Sequence, residues 1–111
     1  MTDRTELLEE IAAALRPDGP VEIRTMFRSP GIRIGGKIVA FFGHDDRFIV
    51  KVPRARAEEL IASGAAEPVT MGKRTMREWI AIPADGDADT TRERWTRFAR
   101  EALLYVSSLD S

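Results

Sequence analysis

The sequence feature that most constrains the fold is a pair of adjacent glycines between two short apolar runs. Gly35 and Gly36 separate residues 31–34 from residues 37–42. Ile32 and Ile34 occupy alternate positions in the first run, and Ile38 lies near the start of the second. The two-residue turn that matches the twist of paired strands needs a positive φ at both central positions, which glycine adopts without a steric penalty. The pattern therefore predicts a tight β-hairpin in this part of the chain.

Alternation along this hairpin assigns its side chains to two faces of a sheet. Counting from the turn places Arg33 on the same face as Ile38. Phe41 and Phe42 are adjacent in the second strand, so they point to opposite faces. A strand that is apolar on both faces is typical of the centre of a sheet that is covered on both sides.

The remainder of the chain alternates between strand and helix patterns. The predicted elements are a helix capped by Asp3 and ending before Pro17, a strand over residues 21–27, the hairpin, a strand over residues 47–52, a short helix between Pro53 and Gly64, strands over residues 68–71 and 74–82, and a helix capped by Thr90 with Glu93. We therefore predict an α+β fold in one domain over residues 1–111. It has a single antiparallel sheet with flanking helices in the order α-β-β-β-β-α-β-β-α.

Composition excludes several classes of protein. The chain has 111 residues, of which 43% are hydrophobic and 32% charged, so it is globular rather than disordered. It contains no cysteine, which excludes disulfides and thiol catalysis and fits a reducing, cytoplasmic compartment. The apolar run at residues 38–44 is far shorter than a membrane-spanning helix, and the acidic N-terminus does not resemble a signal peptide.

Two short patterns resemble ligand sites, but a glycine hairpin is favoured for the first and a polar turn for the second. Residues 31–37 fit G-x-x-x-x-G-K, but Ile38 stands where a phosphate-binding loop needs Ser or Thr, and a strand follows instead of a helix. His44-Asp45-Asp46 places the only histidine beside two carboxylates, at the tip of a predicted turn with no further ligands nearby. We predict no catalytic, cofactor-binding or metal-binding residues, no small-molecule substrate and no enzyme activity.

Charge is unevenly spread along the chain. Residues 24–56 carry a net charge of +6, whereas the whole chain carries −1. The candidate surface for a partner or for nucleic acid consists of Arg24, Arg28, Arg33, Lys37, Arg54 and Arg56. Such a surface could meet phosphates or an acidic protein, and ordinary solvated charge on strand edges explains the same pattern.

A second candidate surface is apolar. The outward-facing set that alternation predicts is Met26, Ile38, Phe42 and Ile49. If the C-terminal helix leaves this face uncovered, it forms an apolar patch rimmed by arginine, which is typical of an interface. We therefore expect a homodimer or a protein partner. The alternative is that a helix covers these side chains.

Short motifs along most of the chain resemble one family. They are Met26-Phe27, Gly31, the Gly36-Lys37 turn, Ala40-Phe41-Phe42, the Asp46-Arg47 turn, Val50-Lys51-Val52, Ala66-Glu67-Pro68 and Met76-Arg77-Glu78-Trp79. Together they resemble the N-terminal domain of the TfoX/Sxy competence regulators, and the last motif is also similar to YjbR-type proteins. The resemblance departs at Arg28-Ser29-Pro30, where the family usually has two glycines.

This resemblance implies an α+β fold similar to type III secretion chaperones, and a bacterial, cytoplasmic regulatory setting. It supplies no catalytic site. Competence regulators also carry a second, C-terminal domain, so we expect residues 1–111 to correspond to the N-terminal domain alone. The function predicted is a non-catalytic regulatory or protein-interaction module. The alternative is a weak, sequence-tolerant nucleic-acid binder, whose affinity would fall steeply with salt.

Overall fold

The structure is a computed structural model that describes residues 4–26, 29–43, 47–71, 73–84 and 86–109. Its helices are α1 (Arg4–Leu15), α2 (Arg54–Ala62) and α3 (Ala88–Ser108), and a short 3₁₀ helix (Arg16–Asp18) follows α1. Its strands are β1 (Glu22–Met26), β2 (Ser29–Ile34), β3 (Lys37–Phe42), β4 (Phe48–Lys51), β5 (Glu67–Met71) and β6 (Arg74–Ile82). Within the described ranges, no helix is long and apolar enough to cross a bilayer.

All six strands join one antiparallel sheet in the order β1-β2-β3-β4-β6-β5. The buried side chains of the helices belong to a single hydrophobic core, together with alternate side chains of the strands. The helices therefore cover one face of the sheet. The predicted α+β class, the single antiparallel sheet and the order of the elements are confirmed.

Trp95 of α3 is at the centre of the core between helices and sheet. Its ring stacks on Phe48, with the ring centroids 5.3 Å apart, and meets Phe42 edge-on at 5.6 Å. The indole Nε1 donates a hydrogen bond to the carbonyl oxygen of Ile82 at 3.1 Å, so its burial leaves no polar group unsatisfied. Burial of a large apolar side chain of this kind contributes roughly 1.5–3 kcal/mol.

The glycine turn joins β2 to β3 as the sequence predicts. Gly35 and Gly36 have φ values of 55° and 81°, and Ile34 lies opposite Lys37. The G-x-x-x-x-G-K pattern therefore forms strand, turn and strand, which is not the geometry of a phosphate-binding loop.

One feature of β3 changes which side chains face the helices. Val39 is an extra residue between the partners of Ile32 and Arg33 on β2, so the pairing slips by one position. Such a bulge reverses the inside–outside alternation beyond it. As a result Phe42 is in the helix-covered core and Phe41 lies on the opposite face. The prediction that Phe42 points outward is wrong for this reason.

The start of α3 also differs from the prediction. Asp87 is the N-cap: its carboxylate accepts hydrogen bonds from the backbone N–H of Thr90 at 3.1 Å and from the Thr90 hydroxyl at 2.8 Å. Both hydrogen bonds lower the pKa of Asp87, and the bond from the Thr90 hydroxyl has the larger effect. Thr90 therefore lies inside the first turn and supports the cap instead of forming it.

Candidate functional site

The face of the sheet that lies away from the helices carries its own apolar cluster. Phe41, Ile49, Val69 and Ala81 are its buried members, and Ile38, Met76 and Trp79 pack around them partly exposed. No helical side chain belongs to this cluster in the described part of the chain. We call this set of seven side chains the open face.

Trp79 gives the open face its largest aromatic surface. Its ring meets Phe41 edge-on, with the centroids 5.6 Å apart. The ammonium of Lys51 lies 5.5 Å from the centroid of the same ring, within the range of a cation–π contact. Phe41 and Lys51 therefore orient the indole, while part of it stays accessible to a partner.

Opposite charges lie side by side next to the open face. Arg47 binds Glu67 with two hydrogen bonds, at 2.9 Å from Nε and 3.3 Å from Nη2. Glu67 lies opposite Ala81 in the sheet, so its side chain belongs to this face. The two side chains are 33% and 45% exposed, so water screens the pair and its contribution to stability is small.

Gly43, which follows β3, leaves room for the side chain of Ile49 on β4. A Cβ on Gly43 would stand 2.5 Å from Cδ1 of Ile49 and 3.3 Å from its Cγ1. Real Cβ atoms do not approach carbon so closely, so Ile49 would have to move. The shape of the open face therefore depends on the absence of a side chain at this position.

Two of the four residues predicted for the apolar surface lie on the open face. Ile38 and Ile49 belong to the open face, and the C-terminal helix does not cover them as a layer. Phe42 does not belong to it, because the bulge in β3 turns it toward the helices. The side chain of Met26 lies outside the part that the structure describes. Phe41 and Trp79 are members that alternation alone missed, and for Phe41 the reason is the bulge in β3, which leaves no mark in the sequence.

The predicted cations do not form one surface. Arg24, Arg33 and Lys37 lie on β1, β2 and β3, whereas Arg54 and Arg56 lie on α2, on the helix-covered side. Arg28 falls outside the described residues, as does the His44-Asp45-Asp46 turn.

Three of the five predicted cations that the structure describes already hold carboxylates. Arg24 lies 3.5 Å from Glu22, Arg54 lies 3.3 Å from Glu58, and Arg56 binds both Glu59 and Glu101. The hydrogen bond to Glu101 is the main reason that the pKa of Arg56 is raised. These ion pairs reduce the positive potential that phosphates would meet.

Arginines on the helix side also connect the helices to one another and to loops. Arg100 of α3 donates to the carbonyl oxygen of Ala14 at 3.0 Å and lies 2.8 Å from the Asp18 carboxylate. Arg94 donates to the carbonyl oxygen of Ala65 at 2.9 Å. The planar guanidinium suits such forked contacts, so part of the arginine richness has a structural use.

A metal-binding cluster is not found among the described residues. No group of His, Asp or Glu there could hold a metal ion. The Tyr105 hydroxyl donates a hydrogen bond to the Glu78 carboxylate, and this bond raises the pKa of Tyr105. It joins α3 to β6 and therefore fixes the C-terminal turns of the helix against the sheet.

Three comparisons with known proteins give one match. The family model described as the TfoX N-terminal domain matches residues 13–104, which include every strand and both α2 and most of α3. Neither the curated proteins nor the solved structures yielded a match.

Proposed function

Because the chain belongs to the TfoX N-terminal domain family, we propose that it is a non-catalytic regulatory module that acts by binding protein through its open face. The family is of the regulatory or interaction type, and it brings no catalytic residues to this chain. The observation that carries the proposal is an apolar cluster on the sheet, with Trp79 at its edge, that includes no helical side chain among the described residues. The reducing compartment that a cysteine-free chain fits supports a cytoplasmic location.

The partner that this surface fits best is a second copy of the chain. A two-fold dimer places the same patch on both sides of the interface, so an apolar centre meets an apolar centre. Arg47 and Glu67 are adjacent and of opposite charge, so each can pair with its counterpart across a two-fold axis. A rim of mixed sign is compatible with self-association, whereas a rim of one sign would repel its own copy.

A pair of single substitutions tests this proposal. Ile38→Glu adds a charge to the open face, and Leu104→Glu adds the same charge to an exposed site on α3 whose side chain is 59% accessible. We expect wild type and Leu104→Glu to sediment as dimers, and Ile38→Glu to sediment as a monomer at the same concentration. Circular dichroism on both variants separates loss of association from loss of folding.

Nucleic-acid binding receives weaker support. The cations that would contact phosphate are divided between the two sides of the sheet, and several hold carboxylates. A titration with labelled DNA distinguishes this function from protein binding.

A further inference from the structure

A cavity of about 420 Å³ lies where the C-terminal end of α3 meets the first residues of β3 and the last residue of β4. Its walls are formed by Gly36, Lys37, Ile38, Lys51, Trp79, Val106 and Leu109. Its volume falls within the range of cavities that hold small ligands. The open face supplies one wall and the end of α3 the other.

The chemistry of the walls is apolar with positive charge on one side. Ile38, Val106 and Leu109 are aliphatic, and the indole of Trp79 adds a flat apolar surface. Lys51 and Lys37 are the two cations on the walls, of which Lys37 also has another interaction, and no carboxylate is among the described residues that line the cavity. The ammonium of Lys51 lies 5.5 Å from the Trp79 ring centroid, so it is held on the wall.

A third cation reinforces this charge from behind the glycine turn. Nη2 of Arg33 donates to the carbonyl oxygen of Gly36 at 2.7 Å, and Gly36 lines the cavity. The guanidinium charge is therefore fixed beside the cavity by the hairpin itself. Three cations therefore lie at this end of the sheet, in a chain whose net charge is −1.

We propose that this cavity binds a small carboxylate with an apolar body, with the anionic head at Lys51 and the body against Trp79 and Leu109. The cavity shares Ile38 and Trp79 with the open face, so this ligand and a second copy of the chain would contact two of the same side chains. The sequence predicts no small-molecule ligand, because the cavity joins residues that lie far apart along the chain and exists only once α3 is packed.

Octanoate is the probe, and isothermal titration calorimetry is the measurement. Octylamine has the same apolar body with a cationic head, and acetate has the head with almost no body. We expect saturable binding of octanoate in the micromolar to millimolar range, with octylamine and acetate at least about tenfold weaker. Equal binding of octylamine and octanoate, or no binding of octanoate at millimolar concentration, overturns the proposal.

Two exposed leucines on the C-terminal segment provide a matched pair of variants. Leu109 lines the cavity and is 45% accessible, whereas Leu104 is 59% accessible and does not line it. Leu109→Asp places a negative charge at the cavity and leaves the core untouched. We expect it to weaken octanoate binding roughly tenfold, and Leu104→Asp to bind as the wild type does. Equal effects of the two variants contradict the assignment.

The cation is tested separately. We expect Lys51→Glu to weaken octanoate binding roughly tenfold or more, because a charge-assisted contact becomes a repulsion. Lys73→Glu is the control, since Lys73 is exposed in the turn before β6 and does not line the cavity. Octanoate binding that survives Lys51→Glu unchanged contradicts the proposed position of the anionic head.

Discussion

The two faces of the sheet use similar side chains in different ways. On the helix-covered face, Trp95 is 3% accessible, stacks on Phe48 and has its indole N–H bonded to a backbone carbonyl. On the open face, Trp79 meets Phe41 edge-on and shares its ring with Lys51, and it stays partly exposed. One tryptophan completes a core within the chain, and the other is available to something outside it.

This difference shows how a small sheet protein can assign its faces to separate tasks. The large cluster that joins the helices to the sheet supplies the stability of the fold. The small cluster of the open face is too limited to serve as a second core, and it is bordered by the exposed Arg47–Glu67 pair.

Replacing each tryptophan by alanine gives the largest effect. We expect Trp95→Ala to lower the free energy of unfolding by about 3–5 kcal/mol, because it opens a large hole in the core. Trp79→Ala should lower it by only about 1–2 kcal/mol, because part of that ring is already in water. Urea denaturation at matched protein concentration measures both. Equal losses would mean that the open face is a second core.

The glycine turn gives the next effect. Gly36 has a φ of 81°, which alanine adopts only under strain, so Gly36→Ala should destabilise the protein by roughly 1–2 kcal/mol. Gly86→Ala is the control, because Gly86 has no positive φ and a Cβ at that position would meet no other atom within 4 Å. The same urea titration reads both variants. If Gly86→Ala lowers the free energy of unfolding as much as Gly36→Ala does, the positive φ of the turn is not the cause of the loss.

The ion pair beside the open face gives a small effect. Arg47→Ala should cost about 0.2–1 kcal/mol at low salt, since both partners are partly exposed, and less at high salt. Sedimentation of the same variant should show weaker association, because the charge that complements a second copy is gone. If the variant loses stability but associates as strongly as wild type, the Arg47–Glu67 pair contributes to folding and not to association.

The cap of α3 gives a pH-dependent effect. Its hydrogen bonds from Thr90 lower the pKa of Asp87 in the folded state, so the cap stabilises the protein above the unfolded pKa of aspartate. This stabilisation is lost as the pH falls through the lower, folded pKa. We expect Asp87→Asn to differ from wild type at neutral pH and to converge with it in acid. Thermal unfolding across this pH range measures the difference, and a pH-independent gap would rule out the charge as its cause.

Titration with labelled duplex and single-stranded DNA tests the alternative function, which is nucleic-acid binding. We expect no binding at physiological salt, because the predicted phosphate contacts are split between the two sides of the sheet. Fluorescence anisotropy at several salt concentrations is the measurement. Micromolar affinity whose logarithm falls by several units per logarithmic unit of salt would restore the nucleic-acid interpretation.

Local signals in the sequence were enough to predict most of the fold. The Gly35-Gly36 turn fixed the hairpin, and helical spacing placed the stripe of α3 that carries Trp95. The open face was predicted less well, because the extra residue Val39 reversed the alternation that had placed Phe42 there. A bulge depends on pairing with a neighbouring strand, so local periodicity does not reveal it.

The positions of charges were harder to predict than those of apolar residues. Runs of cations in the sequence suggested one basic surface, but α2 carries Arg54 and Arg56 to the helix-covered side. Their partners, Glu58 and Glu101, include one close in sequence and one from another helix. Contacts of the second kind form only in the folded chain, so the sequence indicated the charge and not its location.

Self-association through the open face is tested by the mass of the wild-type protein in solution. Multi-angle light scattering on samples from low to high micromolar concentration measures it without a label or a variant. If the open face joins two copies, the mass rises to about twice the 12.4 kDa of one chain. A mass of one chain at every concentration contradicts the dimer and leaves the open face to a different partner.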